Sequence, residues 1–231
     1  MTPVLARRIV AEGLGTMFLL AAVVGSGIAA QRLSPDDPGL QLLETAIATG
    51  AALTALILAF HPVSAAFNPI ITVIEWRQRT VATGPGLVTI SAQLIGGVLG
   101  AVMANLMFGE PMISIATTEQ AGTGRWLAEI IATAGLVLVI GGTSRSKSPE
   151  RVAFAVGAYI TAAYWFTSST SFANPAVTLS RTLSDTFAGI APSSVPPFLL
   201  AQAVGGTLGY LITRALHPTP AIPAQLPGDP A

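Results

Sequence analysis

Phe67-Asn68-Pro69-Ile70 and Asn174-Pro175-Ala176-Val177 are the two stretches that decide the fold. Each follows a long apolar run through a short break of small and polar residues. Proline fits the first turn of a helix and disfavours helical conformation in the residue before it. Asparagine is a strong helix cap. Asn-Pro therefore reads as a cap followed by a first turn. The segments that follow, 70–76 and 176–184, are too short to cross a bilayer but apolar enough to lie inside one. The segments that precede them, 62–67 and 168–173, are expected as re-entrant loops. Non-helical backbone at membrane depth is tolerated only when it is buried in protein or lines a watery cavity.

The rest of the chain provides the membrane for these loops to enter. Of 231 residues, 52% are hydrophobic and only 10% charged, and the mean hydropathy is +0.67. A soluble domain has a very different balance. Six apolar runs approach spanning length, at 9–30, 42–60, 87–108, 126–142, 152–166 and 198–216. They leave no room for a separate soluble domain. The 23 glycines suit close helix approach in lipid. With Arg7 and Arg8 in the cytoplasm, threading six spans puts Arg77, Arg79, Arg145, Lys147, Arg151 and Arg214 on that same side. Arg32, Arg125 and Arg181 fall on the other. The bias predicts both termini in the cytoplasm. The net charge of zero gives no sign of a nucleic-acid surface, and the absence of cysteine excludes disulfides and thiolate metal sites. The first span begins like a signal peptide, but it is longer than an h-region and carries Glu12, so it reads as retained. The tail 218–231, with five prolines, is expected to be disordered.

Three patterns occur twice in the same order. Ala11-Glu12-Gly13-Leu14-Gly15-Thr16 in span one matches Ala128-Glu129-Ile130-Ile131-Ala132-Thr133 in span four. The Asn-Pro motif follows spans two and five. Ala92-Gln93-Leu94-Ile95-Gly96-Gly97-Val98-Leu99-Gly100 in span three matches Ala201-Gln202-Ala203-Val204-Gly205-Gly206-Thr207-Leu208-Gly209 in span six. Each half, 6–110 and 122–217, thus holds three spans within one domain. Three is odd, so the halves enter the membrane from opposite sides as inverted repeats, with a path at their junction. The half-helices then meet head to head. Each N-terminus carries roughly half a positive charge, and the pair opposes cations and protons. If the amides of Asn68 and Asn174 face the path, they can donate to a passing neutral oxygen; alternatively, they only cap buried helices.

With these motifs the chain resembles the aquaporin, or major intrinsic protein, superfamily from about Arg8 to Leu216. The carriers are the two Asn-Pro motifs, Glu12, Glu129, and Gln93 with its glycine pair. The resemblance implies an all-α membrane protein of six transmembrane helices and two re-entrant half-helices, assembled as a homotetramer with one pore per protomer. It implies that Glu12 and Glu129 brace the loop of their own half by accepting N–H bonds. The other reading of a carboxylate inside a membrane is a proton carrier.

The resemblance also places a four-residue filter at Thr49, Ala162, Ser171 and Val177. Ser171 and Val177 are tied to the second motif, whereas Thr49 and Ala162 rest on ungapped alignment of spans two and five. The family usually has arginine at the position of Val177 and a large aromatic in span two. Arginine brings charge, five donors and bulk, so these four residues imply a wide filter with few donors. Arg181, four residues past Val177, reads as a vestibule or surface cation, the other possibility being that it supplies the missing charge. Ile70 replaces the usual alanine of the first motif. His61 is expected to pack a loop, a pH sensor being the alternative.

Lack of the filter arginine is shared with bacterial aquaglyceroporin-like channels of arsenic-resistance systems. This implies a passive pore for arsenous acid, with methylated arsenicals and glycerol as further solutes, working beside an arsenate reductase in the inner membrane. The rivals are a glycerol or water facilitator, a proton-coupled transporter using Glu12 and Glu129, and an ion channel. The sequence has no metal constellation, nucleophile–base pair or phosphate loop, and so predicts neither an enzyme nor a cofactor.

Overall fold

A computed structural model describes residues 2–146 and 148–217. Lys147 and the tail expected to be disordered lie outside the described residues. The described chain is helical, with no strand. Six long helices are α1 (Pro3–Leu33), α2 (Pro38–Phe60), α4 (Thr83–Met107), α5 (Thr123–Thr143), α6 (Pro149–Phe166) and α8 (Val195–Leu216). Two short ones, α3 (Pro69–Arg77) and α7 (Pro175–Ser180), follow the Asn-Pro motifs. α7 is shorter than the sequence implied, because its last turn tightens into a 3-10 turn over Arg181–Leu183.

Proline starts most of these helices. It stands in the first turn of α1, α2, α3, α6, α7 and α8. Its missing N–H falls where a helix has no intrahelical acceptor to lose. Asp37 caps α2 through a 2.9 Å bond from Leu40 N, and Asn68 caps α3 from Ile70 N at the same distance. Five of the long helices are long and apolar enough to cross a membrane. The sixth, α6, is the shortest at 18 residues, and its Pro149-Glu150-Arg151 start and two tyrosines dilute its hydropathy.

Polar groups are buried within an apolar core, and the outer face is apolar. Glu12, Gln93, Glu129 and Gln202 are fully buried, while Ile95, Leu99, Phe154 and Leu200 are exposed on the outer face. Such a surface suits lipid rather than water.

Glycines set the helix pairings. A methyl on Gly96 would lie 2.1 Å from the Gly13 carbonyl oxygen, and one on Gly100 2.2 Å from that of Met17, so α4 lies directly on α1. In the second half the equivalents are Gly205 at 2.4 Å from Ile130 O and Gly209 at 2.6 Å from Ala134 O, joining α8 to α5. Across the two halves α2 meets α6 at Gly50 and Gly157, each facing the other's carbonyl. These pairings give the inverted symmetry predicted from the repeats.

Side-chain ties group the helix ends. Arg8 pairs with Glu75, joining the start of α1 to the end of α3. Arg145 donates to His217 O at 3.0 Å, joining the ends of α5 and α8. At the opposite face Arg32 pairs with Glu110 at 2.6 Å, and Phe187 N donates to Gln31 at 3.1 Å. α3 and α7 therefore run outward to opposite faces, with their N-termini toward the middle.

Candidate functional site

The loops before α3 and α7 are held by two buried carboxylates. Glu12 accepts from Ser64 Oγ, from Ala66 N at 2.9 Å, from Phe67 N at 2.7 Å and from Gln93 Nε2 at 2.8 Å. Glu129 accepts from Ser169 Oγ at 2.7 Å, Phe172 N and Ala173 N at 2.9 Å, and Gln202 Nε2 at 2.7 Å. The two glutamines also reach the half-helices, Gln93 at Thr72 Oγ1 (2.9 Å) and Gln202 at Thr178 Oγ1 (2.8 Å). A buried carboxylate is tolerable when its oxygens are this fully bonded. The bonds also hold strained backbone. Phe67 (φ 49), Thr170 (φ 57), Ser171 (φ 52) and Ala173 (φ 47) all sit in the left-handed region. Each costs on the order of 1–3 kcal/mol unless its surroundings fix it.

The left-handed turns aim the carbonyls of Phe67 and Ala173 across the symmetry axis. Asn68 Nδ2 donates to Ala173 O at 2.8 Å, and Asn174 Nδ2 donates to Phe67 O at 2.8 Å. Their Oδ1 atoms meanwhile cap their own helices, Asn174 accepting from Ala176 N at 2.9 Å and Val177 N at 3.4 Å. The asparagines thus cap and cross-link at once. Each amide carries a second N–H, and both residues line a cavity.

That cavity has a volume of about 510 Å³. It opens between Arg8, His61, Glu75 and Ser148, passes Asn68 and Asn174, and ends at Arg181. Three of the four residues expected at the filter line it: Thr49, Ser171 and Val177. The Thr49 hydroxyl lies 3.1 Å from the Tyr164 hydroxyl. The Ser171 Oγ is buried with no hydrogen-bond partner among the described residues. Glu12 and Glu129 stand behind the loops, outside the lining.

Ala162 is a correction. It lies on the exposed face of α6, away from the cavity. α6 instead presents Val152, Val156, Ile160 and Tyr164, one turn apart. Position 162 falls about 200° around the helix from 160 at roughly 100° per residue. A large phenol therefore stands where a methyl was expected, and the pathway is narrower on this side than the sequence implied. Ile70 also lies off the cavity: a methyl on Gly206 of α8 would lie 2.5 Å from its Cγ2. Arg181, read as a vestibule or surface cation, is only 5% exposed and lines the cavity. The i, i+4 stripe of α6, matched by Thr49, Leu53 and Ile57 of α2 and by His61 at its C-cap, is the sequence signal that would have found Tyr164.

Known proteins resemble this chain. A profile of the family described as Major intrinsic protein matches residues 1–151. The chain is 43% identical to Aquaglyceroporin AqpS of Rhizobium meliloti (strain 1021) over 213 residues, covering 92% of this chain and 91% of that one. It is 28% identical to the Probable aquaporin TIP2-2 of Oryza sativa subsp. japonica, covering 90% and 86%. The solved aquaglyceroporin from Plasmodium falciparum superposes with a TM-score of 0.72 over 93% of this chain and 98% of its own; at 20% identity it speaks for the fold. The chain belongs to the major intrinsic protein family, as an integral membrane channel for small neutral solutes and not an enzyme.

Proposed function

We propose that the channel passes arsenous acid, with methylated arsenicals and glycerol as further solutes. The observation that carries this reading is Val177 on the cavity wall, 5% exposed and directly after the second Asn-Pro-Ala. An arginine there would add charge and bulk; valine leaves an aliphatic wall. Beside it the Thr49–Tyr164 pair and the second N–H of each asparagine offer hydrogen bonds. A small neutral triol, with oxygens on one side and a less polar body on the other, suits such a surface. The name of the 43% identical relative, an aquaglyceroporin, points the same way. The absence of cysteine also suits a trivalent arsenic cargo, which thiols would trap.

Flow would be outward across the inner membrane, down a gradient made by an arsenate reductase, with both termini cytoplasmic and four copies assembled as a homotetramer. The basic residues Arg8, Arg145 and Arg151 at the face shared by both termini support that orientation.

Proteoliposomes test the reading. Arsenite uptake should exceed that of protein-free vesicles, and a protonophore should not change it. Fast glycerol or water flux without arsenite flux would leave only the facilitator reading. Uptake abolished by the protonophore would favour a coupled transporter, a reading that the fully bonded Glu12 and Glu129 already disfavour.

A further inference from the structure

Arg181 is a buried cation that nothing above explains. The described residues contain two ion pairs, Arg8–Glu75 and Arg32–Glu110, and Arg181 belongs to neither. Its Nε–H donates to the carbonyl of Ala188, and its guanidinium lies over the Phe172 ring at 3.6 Å from the centroid. Phe172 is itself fixed, since its N–H bonds to Glu129. The guanidinium is thus held from two sides, and its Nη1 and Nη2 donors have no partner among the described residues. A buried charge without a counter-ion is costly, so packing alone is a poor reason to keep it.

Its position gives a better one. A second cavity, of about 230 Å³, lies beyond the main one toward Thr118, Gln120 and Phe187. The linings of the two cavities have three residues in common: Val23, Tyr164 and Arg181. A solute moving between the cavities passes through that ring, with an isopropyl group, a phenol and a guanidinium around it. Arg181 sits one turn past Val177, where α7 tightens into its 3-10 turn.

We propose that Arg181 is the charge-selective gate of this channel: held by Ala188 and Phe172 at the ring it shares with Val23 and Tyr164, it repels cations and protons and offers its free N–H donors to the hydroxyls of neutral solutes. The cation that valine removes from position 177 is supplied one turn outward. The filter has two tiers, a charged outer ring and an uncharged inner wall at Thr49, Ser171 and Val177. This extends the arsenous acid reading and applies to whichever neutral solute passes.

The test is ion leak. Purified wild type, Arg181→Gln, Arg181→Val and Arg181→Lys are reconstituted in vesicles carrying a pH-sensitive or sodium-sensitive dye, and a membrane potential is imposed. Removing the charge should raise proton or sodium leak about tenfold or more, while Arg181→Lys stays near wild type. Unchanged leak in the two uncharged variants, with unfolding temperatures near wild type, overturns the proposal. If those variants do not fold, Arg181 is left in place and Thr49→Cys is introduced into a chain that otherwise has no cysteine. Slower labelling from outside by a cationic than by a neutral methanethiosulfonate of matched size supports the gate; equal rates overturn it. Leak is read with no solute present, which keeps this test separate from that of the arsenous acid reading.

Discussion

Replacing Glu129 by glutamine removes one oxygen's worth of acceptor and nothing else in size. In the wild type Oε1 accepts from Ser169 Oγ and Phe172 N, and Oε2 accepts from Ala173 N and Gln202 Nε2. A glutamine must present an NH₂ to one of these two pairs. Turned toward the first, it can be received by Ser169, whose hydroxyl also accepts, but the Phe172 N–H is orphaned. Turned toward the second, it can be received by Gln202 Oε1, which has no partner among the described residues, but the Ala173 N–H is orphaned. Either way one buried backbone donor is left unpaired, at about 1–3 kcal/mol. The remaining bonds also lose their charge assistance, roughly another 1 kcal/mol in total. A net loss of about 3 kcal/mol predicts an unfolding temperature lower by roughly 6–12 °C in detergent. The same holds for Glu12→Gln, because its four donors occupy equivalent places. Differential scanning fluorimetry on the purified variants reads both. If neither variant shifts by more than about 1 °C, the carboxylates do not hold the loops, and a proton-carrying role becomes the better account of them.

Val177→Arg should bring a second guanidinium within one turn of Arg181, at about 6 Å. Like charges at that distance repel by roughly 3 kcal/mol at an effective dielectric near 20. Swelling assays should show glycerol and arsenite flux reduced about tenfold or more with water flux retained; unchanged flux for both would mean that Val177 does not line the constriction. Ile70→Ala should act on stability alone. Ile70 is partly buried against Gly206 of α8, so truncation should cost about 1–2 kcal/mol, below the range for fully buried sites. A changed solute preference would place Ile70 on the cavity after all. Gly96→Leu should prevent assembly, because even a methyl there would lie 2.1 Å from the Gly13 carbonyl. Normal yield and unfolding temperature would show that α1 and α4 can separate without loss.

What could be read from the chain, and what could not, divides along a physical line. Glu12, Glu129 and the two Asn-Pro motifs were legible because a membrane makes each of them costly. A carboxylate or an interrupted helix in lipid has few reasons to exist, and their repetition in order leaves an inverted pair of halves. The register of α6 was not legible in the same way. Ala158, Ala162 and Ala163 put small residues on several sides of that helix, so nothing in their chemistry marks the face that meets the cavity. The marker is the i, i+4 row ending at Tyr164, which a helix-by-helix alignment with other proteins passes over. Arg181 was visible as a charge, but its place depends on two things that spacing does not encode. One is the tightening of α7 after Ser180, and the other is the return of the chain to put the Ala188 carbonyl on Nε. The consequence for selectivity is specific. The loss of arginine at 177 is a statement about the shape and chemistry of the inner wall, whereas the electrostatic barrier depends on any cation that the fold brings to the same passage. A valine next to Asn-Pro-Ala therefore argues for larger or less polar solutes without arguing for ions, provided that Arg181 stays where Phe172 and Ala188 hold it.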